Sequence, residues 1–383
     1  MHHYFLSLIA ASHTGLAAAV SGTAYGFATG VSGGGSATAA APSDIAQLKS
    51  WLADSTPRVI LIDKTFNFKG TEGSATGSGC YQSTCTLANG GQDYIGTLSC
   101  TGSNMISTTI TYDVAGTTPL EVASSKTILG VGSAGVIQGK GLHLASGVSN
   151  VIIQNVHITD INPGHVWGGD GLQMDGATGV WIDHCKFSKI GRQFIVSHYD
   201  RNQFTVSNTE FDGTTTTSAT CNGEHYWTNM FIGSGDVITL DRNYYHDLSG
   251  RAPKLGEPGA TTVVQATNNY FYNMKGHAFD IYQDTSALVE GNVFATVTTP
   301  MTSTSSSGAV YDVPDSSSAS ACSSYLGRSC QANSLSGSGS WLSLKNTAVL
   351  STFQSYGSRW MVSPIAASSV SATVLANVGI GKI

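Results

Sequence analysis

The sequence predicts an all-β protein wound as a parallel β-solenoid, and three observations carry the prediction. Val, Ile, Thr and Tyr recur in short runs broken by Gly and Asn, the pattern of strands between tight turns. A similar unit returns after roughly two dozen residues, which suits one coil of a solenoid. An amphipathic segment near the N-terminus has the spacing of a helix able to close the open end of such a coil.

The repeated units are VIIQNVHI (151–158), VWIDHCKF (180–187), QFTVSNTEF (203–211), VITLDRNYY (237–245), VVQATNNYF (263–271) and ALVEGNVF (287–294). Each is a short alternating strand, then Asn (His in the second copy), then a closing apolar residue. The closing residues are Ile158, Phe187, Phe211, Tyr245, Phe271 and Phe294, separated by 23 to 34 residues. An insertion at 212–235 accounts for the widest gap. In a solenoid these residues stack coil on coil inside, and each Asn bonds backbone at a turn and the Asn above it. A β-sandwich also alternates, but its turns come about every 8–12 residues.

The first residues, MHHYFLSLIAASHTGLAAAV, read as a secretory signal over 1–19, with the apolar stretch Tyr4–Ala11 and small residues at Ala17, Ala18 and Ala19. Residues 20–383 are then a single domain. In PSDIAQLKSWLADST (43–57), Ile45, Leu48, Trp51 and Leu52 share one helical face, which predicts a capping helix with Trp51 in the core. The Ser-rich stretch 301–340 is expected to be a long surface loop.

Net charge is −6, which excludes a basic nucleic-acid face. No run of 18 apolar residues is present to cross a membrane as a helix. Seven cysteines lack the paired spacing of a zinc site, so disulfides in an oxidising compartment are expected. Cys185 falls inside an apolar strand and is expected to be a free, buried thiol.

Charge is scarce, at 11% Asp, Glu, Lys and Arg, yet SGRAPKLG (249–256) places Arg251 and Lys254 three residues apart in a stretch too rich in Pro and Gly for a helix. This segment, together with NPGHVWGGDGLQMDGATGVWIDHCKFSKIGRQ (162–193) and TCNGEHYW (220–227), resembles the secreted pectin and pectate lyases of the first polysaccharide lyase family, and most of all their fungal pectin lyase branch. The resemblance implies a right-handed, single-stranded parallel β-helix with long loops forming a substrate cleft. It implies an endo-acting, monomeric, extracellular enzyme that cleaves methyl-esterified polygalacturonan, that is methylated pectin, by β-elimination without a metal or other cofactor.

In that chemistry a base takes the C5 proton, charge grows on the C6 carbonyl, and the C4 oxygen leaves. Preorganised cations suit the growing charge. The resemblance implies that Arg251 is the base, which requires a guanidinium held well below its ordinary pKa, with Lys254 and Arg192 as the neighbouring like charges. Arg192 in IGRQ stands where pectate lyases rely on calcium, and Asp170 is expected to be its ion-pair partner. Asp170 and Asp175 are oxygen ligands of the type calcium takes, but two carboxylates beside an arginine make a poor cage. Gly256 stands where pectate lyases tend to carry a further arginine. Trp167, Trp227 and, more weakly, Tyr226 are expected to meet sugar faces. Asp183 and His184 resemble a catalytic pair but occupy strand positions of a repeat, so a structural role is expected, with His184 in the Asn ladder.

The resemblance further implies disulfides Cys80–Cys100, Cys85–Cys221 and Cys322–Cys330. The 80–100 loop departs from the fungal pattern: it carries Tyr81 and Tyr94 but no tryptophan, which implies differently tuned outer subsites.

Overall fold

A computed structural model describes residues 19–383; the expected signal segment, apart from Ala19, lies outside them. The chain winds into a parallel β-helix with three faces. The first is a ten-stranded sheet running from Ala39–Ala40 to Ala309–Tyr311. The second runs from Thr65–Asn67 to Ser334–Ser336, and the third from Leu120–Glu121 to Lys254–Leu255. The twelve-residue strand Tyr270–Ile281 joins the last two, pairing with Tyr244–His246 near its start and with Lys254–Leu255 at its end.

The closing residues of the repeats are in register, as their spacing predicts. Ile158, Phe187, Phe211, Tyr245, Phe271 and Phe294 pair in succession along the second sheet. All six are fully buried. From Phe211 to Phe294 the rings stack at 4.6 to 4.7 Å between centroids, the spacing of the strands themselves.

The Asn ladder needs a correction. Two adjacent corner positions share the work. Asn155, His184, Asn208, Arg242, Asn268 and Gly291 take the left-handed conformation, with φ from 46° to 64°. The ladder occupies the next residue: Asn243, Asn269, Asn292 and Asn333 hand side-chain hydrogen bonds from coil to coil at 2.9 to 3.0 Å. Thr209 and Cys185 continue it with backbone donors, at 3.0 and 3.3 Å. His184 is therefore outside the ladder, because a shift of one residue turns its side chain outward. Its Nδ1 lies 2.6 Å from Asp183, whose carboxylate also accepts from Ser207, Gln154 and Asn208. This network sits at the first sheet, away from the third. Cys185 is the free thiol; burial pushes its pKa up to about 12.

The helix Ile45–Ala53 closes the first coil. Asp44 caps it by accepting from the Gln47 amide at 2.8 Å, Leu48 and Leu52 are buried in the core, and Ile45 and Trp51 pack against it. The 301–340 stretch is not a plain loop. Ala309–Tyr311 adds a tenth strand to the first sheet, with Val310 and Tyr311 buried, and Ser316–Ala321 and Ser323–Leu326 are helical. Three apolar residues among serines suffice for a strand when the preceding coil offers a paired edge. The disulfides are Cys80–Cys100, Cys85–Cys221 and Cys322–Cys330. The 80–100 segment belongs to a small separate sheet, Ser74–Gln82 with Asp93–Ile95, Met105–Asp113 and His165–Val166, standing beside the third face.

Candidate active site

The third sheet has strands of only two or three residues, so its outer surface is a floor about 10 Å wide. One outward column runs along it in register: Glu121, His143, Gln173, Val196, Met230, Lys254 and Asp280. Arg192 and Arg251 each precede a strand of this sheet, two coils apart. The turns that were widely spaced in sequence thus bring Arg192 and Arg251 to one edge of the floor, with Lys254 in the column beside Arg251.

Arg192 pairs with Asp170 as the sequence suggests: Nη1 is 3.4 Å from Oδ2, while Oδ1 accepts from the Gln193 amide at 2.8 Å. Burial raises the Asp170 pKa against the pull of Arg192, and burial lowers that of Arg192 against the pull of Asp170. The guanidinium lies over Trp167 at 3.8 Å, and the Trp167 indole N–H donates to Ser99 of the Cys80–Cys100 loop at 2.9 Å. Trp167 therefore seats a cation on one face.

Arg251 is held by its backbone. Its amide donates to Nε2 of His277 at 3.0 Å, and its carbonyl accepts from Asn229 at 2.7 Å. Gly250 is required before it, since a Cβ there would come 2.5 Å from Cε2 of Tyr226. The guanidinium lies 4.8 Å from the Trp227 ring and 5.9 Å from Tyr226, and Nη1 donates to the Met230 thioether at 3.3 Å. Sulfur is a weak acceptor. Among the described residues neither Arg251 nor Lys254 has a carboxylate at ion-pair distance, in contrast to Arg192. Burial lowers the Arg251 pKa, and the charge of Arg192 adds to this while Tyr226 opposes it. Lys254, over the Tyr282 ring at 4.6 Å, is lowered by burial and then by Arg251.

Sequence reasoning missed several supports. His225 stacks on Phe194 at 4.3 Å, and its Nε2 lies 2.9 Å from the carbonyls of both Arg192 and Trp227. Burial pushes its pKa down to about 4, so the neutral ring donates one N–H to both and ties the two loops together. Gln92 accepts from the Trp227 indole at 3.1 Å. Met230, His277 and Tyr282 carry no motif; only the coil register reveals them. Asp175 stands apart from Arg192's pairing: it accepts from Gln173 and from His143, whose other nitrogen meets Glu121 at 2.9 Å. Tyr94 is buried and accepts from Gln82, so it is packing, not an exposed ring.

Both candidate calcium ligands thus have partners already. Among the described residues one group could bring three ligands to a metal, Glu210, Asp212 and His246. It lies on the second sheet, and the Lys186 ammonium sits 2.9 Å from both of its carboxylates. Beside Trp167, Asp170, Gln173 and Arg192 the floor opens into a cavity of about 440 Å³, room for sugar rings.

Residues 4–383 match the family described as pectate lyase. The chain is 49% identical over 99% of its length to "Probable pectin lyase F-1" of Aspergillus terreus, covering 99% of that protein. It is 50% identical over 95% of its length to "Probable pectin lyase F" of Aspergillus niger, covering 76% of it. Among solved structures, the pectate lyase Bsp165PelA from Bacillus sp. N165 in complex with trigalacturonate superposes with a TM-score of 0.60 at 18% identity, over 94% of this chain and 99% of that one.

Proposed function

Because the chain belongs to the pectate lyase family, we propose that it is an extracellular, endo-acting, monomeric pectin lyase that cleaves methyl-esterified polygalacturonan by β-elimination without a metal. The observation that carries this reading is the unpaired Arg251 beside two further cations. A neutral Arg251 guanidine takes the C5 proton and becomes guanidinium. The electron pair left on C5 spreads to the C6 ester carbonyl, where Arg192 and Lys254 stand as donors. The C4–O bond then breaks, a C4=C5 double bond forms, the departing oxygen takes a proton from solvent, and the Arg251 guanidinium returns its proton to solvent.

The environment supports the base role in the required direction. Burial and a like charge both disfavour the charged form of Arg251, and its acceptor, Met230, offers no charge to hold the proton on. Asp170 supports a neutral ester over an ionised uronate in another way. Its carboxylate is engaged by Arg192 and the Gln193 amide, which leaves it a poor ligand for the divalent ion that would bridge to an ionised uronate. Three disulfides fit an oxidising compartment.

The test is ultraviolet absorbance of the unsaturated product, on highly methylated pectin and on polygalacturonate, with excess chelator. The expected result is a chelator-resistant rise on methylated pectin that falls by about 10²–10⁴ in kcat in Arg251→Ala. A rise confined to polygalacturonate and dependent on added calcium would instead establish a calcium-dependent pectate lyase.

A further inference from the structure

The edge of the floor opposite Arg192 and Arg251 carries an unassigned aromatic ring. Tyr199 follows the third-sheet strand Ile195–Ser197, whereas Arg192 precedes it. Tyr199 is 72% exposed, the most open tyrosine among the large exposed hydrophobic residues. Its backbone is nonetheless fixed: φ is 54°, the carbonyl accepts from the Ser234 amide at 2.8 Å, and the ring leans on His198 at 5.4 Å. A residue held in the left-handed region by its surroundings while its ring stands in solvent presents that ring to something.

What it stands between identifies the ligand. His198 and Tyr199 form the shared wall of two openings, the 440 Å³ cavity beside Arg192 and a second of about 400 Å³. The second is closed by the turn Glu257–Ala260, in which the Ala260 amide donates to the Glu257 carbonyl at 3.0 Å and the Gly259 amide to Asp284 at 3.0 Å. Glu257 is the one carboxylate lining it, and its charge reaches Lys254 on the neighbouring floor. A free uronate is repelled there, and an uncharged ester is not.

We propose that Tyr199 is a stacking platform for one sugar unit and, with the Glu257–Ala260 turn, forms a subsite selective for a methyl-esterified galacturonate. This rests on the pectin reading above. It adds a substrate-positioning residue across the cleft from Trp167 and Trp227.

Binding separates this subsite from turnover. In the Arg251→Ala background, calorimetric titration would use fully methyl-esterified and unesterified hexagalacturonide. Adding Tyr199→Ala should weaken binding of the esterified hexamer about five- to tenfold, and Tyr199→Phe should hold it within about twofold, since the ring face and not the hydroxyl makes the contact. Glu257→Gln should improve the unesterified hexamer relative to the esterified one by about threefold or more. An unchanged Kd in Tyr199→Ala, or an equal loss in Tyr199→Phe, would overturn the platform. An unchanged ratio in Glu257→Gln would overturn the ester selection. The lyase reading fails separately, if the unaltered enzyme yields no unsaturated product.

Discussion

The outer faces of the first and third sheets are made by the same winding, yet one is sealed and the other is open. On the first sheet the outward column reads Thr127, Ile152, Trp181, Thr205, Thr239 and Gln265. The N-terminal arm crosses it, and its backbone satisfies the threonines: the amides of Gly34, Ala28 and Phe27 donate to Thr127, Thr205 and Thr239 at 3.0 to 3.1 Å. Gly26 lets the arm lie this close, since a Cβ there would meet Thr239 at 2.5 Å. Gln265 exchanges hydrogen bonds with the backbone of Val362 at 2.8 Å in both directions. Where charge occurs it is neutralised, as in Asp241, which takes the Tyr25 hydroxyl, Arg242 and Asn268. Among the described residues no such strap crosses the third sheet, and Arg251 and Lys254 rest on sulfur and aromatic rings. The lesson is that the site is marked by polar groups left without strong partners, not by the presence of polar groups.

This contrast can be broken at either face. The largest effect is expected from giving Arg251 the partner it lacks. Met230→Glu would place a carboxylate beside the guanidinium and raise its pKa; since the base must be deprotonated, the rise of kcat should move to higher pH and the rate near neutrality should fall about a hundredfold. Met230→Leu should leave the profile in place. A pH–rate series on methylated pectin decides this, and an unshifted profile in Met230→Glu would remove Arg251 as the base.

On the sealed face, Asp241→Ala should cost about 2.5 kcal/mol of unfolding free energy, because Tyr25 and Arg242 lose their shared acceptor. Its kcat should match the unaltered enzyme's. Denaturant unfolding beside a rate assay tests the division of labour, and a large rate loss at unchanged stability would contradict it.

A smaller effect concerns His225, which belongs to the open face but is itself sealed. Its folded pKa is lowered from an ordinary 6.5 to about 4, so the unfolded chain takes up the proton first as pH falls. Stability is complete above 6.5 and declines through that window, by about 2 kcal/mol at pH 5 for this one group. His225→Gln should flatten the decline when unfolding is followed between pH 7 and 5. Identical slopes would show that the ring does not stay neutral in the folded state.

The parts legible in the sequence share a short-range cause. The stacked residues Ile158 to Phe294 announce themselves because every coil must bury one apolar side chain at the same place. The capping helix follows from its apolar face, and the Arg192–Asp170 pair and the disulfides follow from the family resemblance. The Asn ladder was misplaced by one residue at His184 because two adjacent corner positions both accept Asn, one for its tolerance of positive φ and one for its amide. The strand Ala309–Tyr311 was hidden because its cause is the exposed edge of the preceding coil, and no composition records that edge.

By itself the sequence determined the coil, its period, its stacked interior and the identity of the cations, since each depends on residue type and local spacing. The tertiary structure decided which face stays open and who stands beside whom. Arg251 meets Met230, Trp227 and His277 only through coil register. The same register carries Arg192's charge to it. Tyr199 faces the cleft only because the turn around it is pinned to Ser234. The pKa of Arg251 is a property of that neighbourhood, because desolvation and like charge act through space and not along the chain.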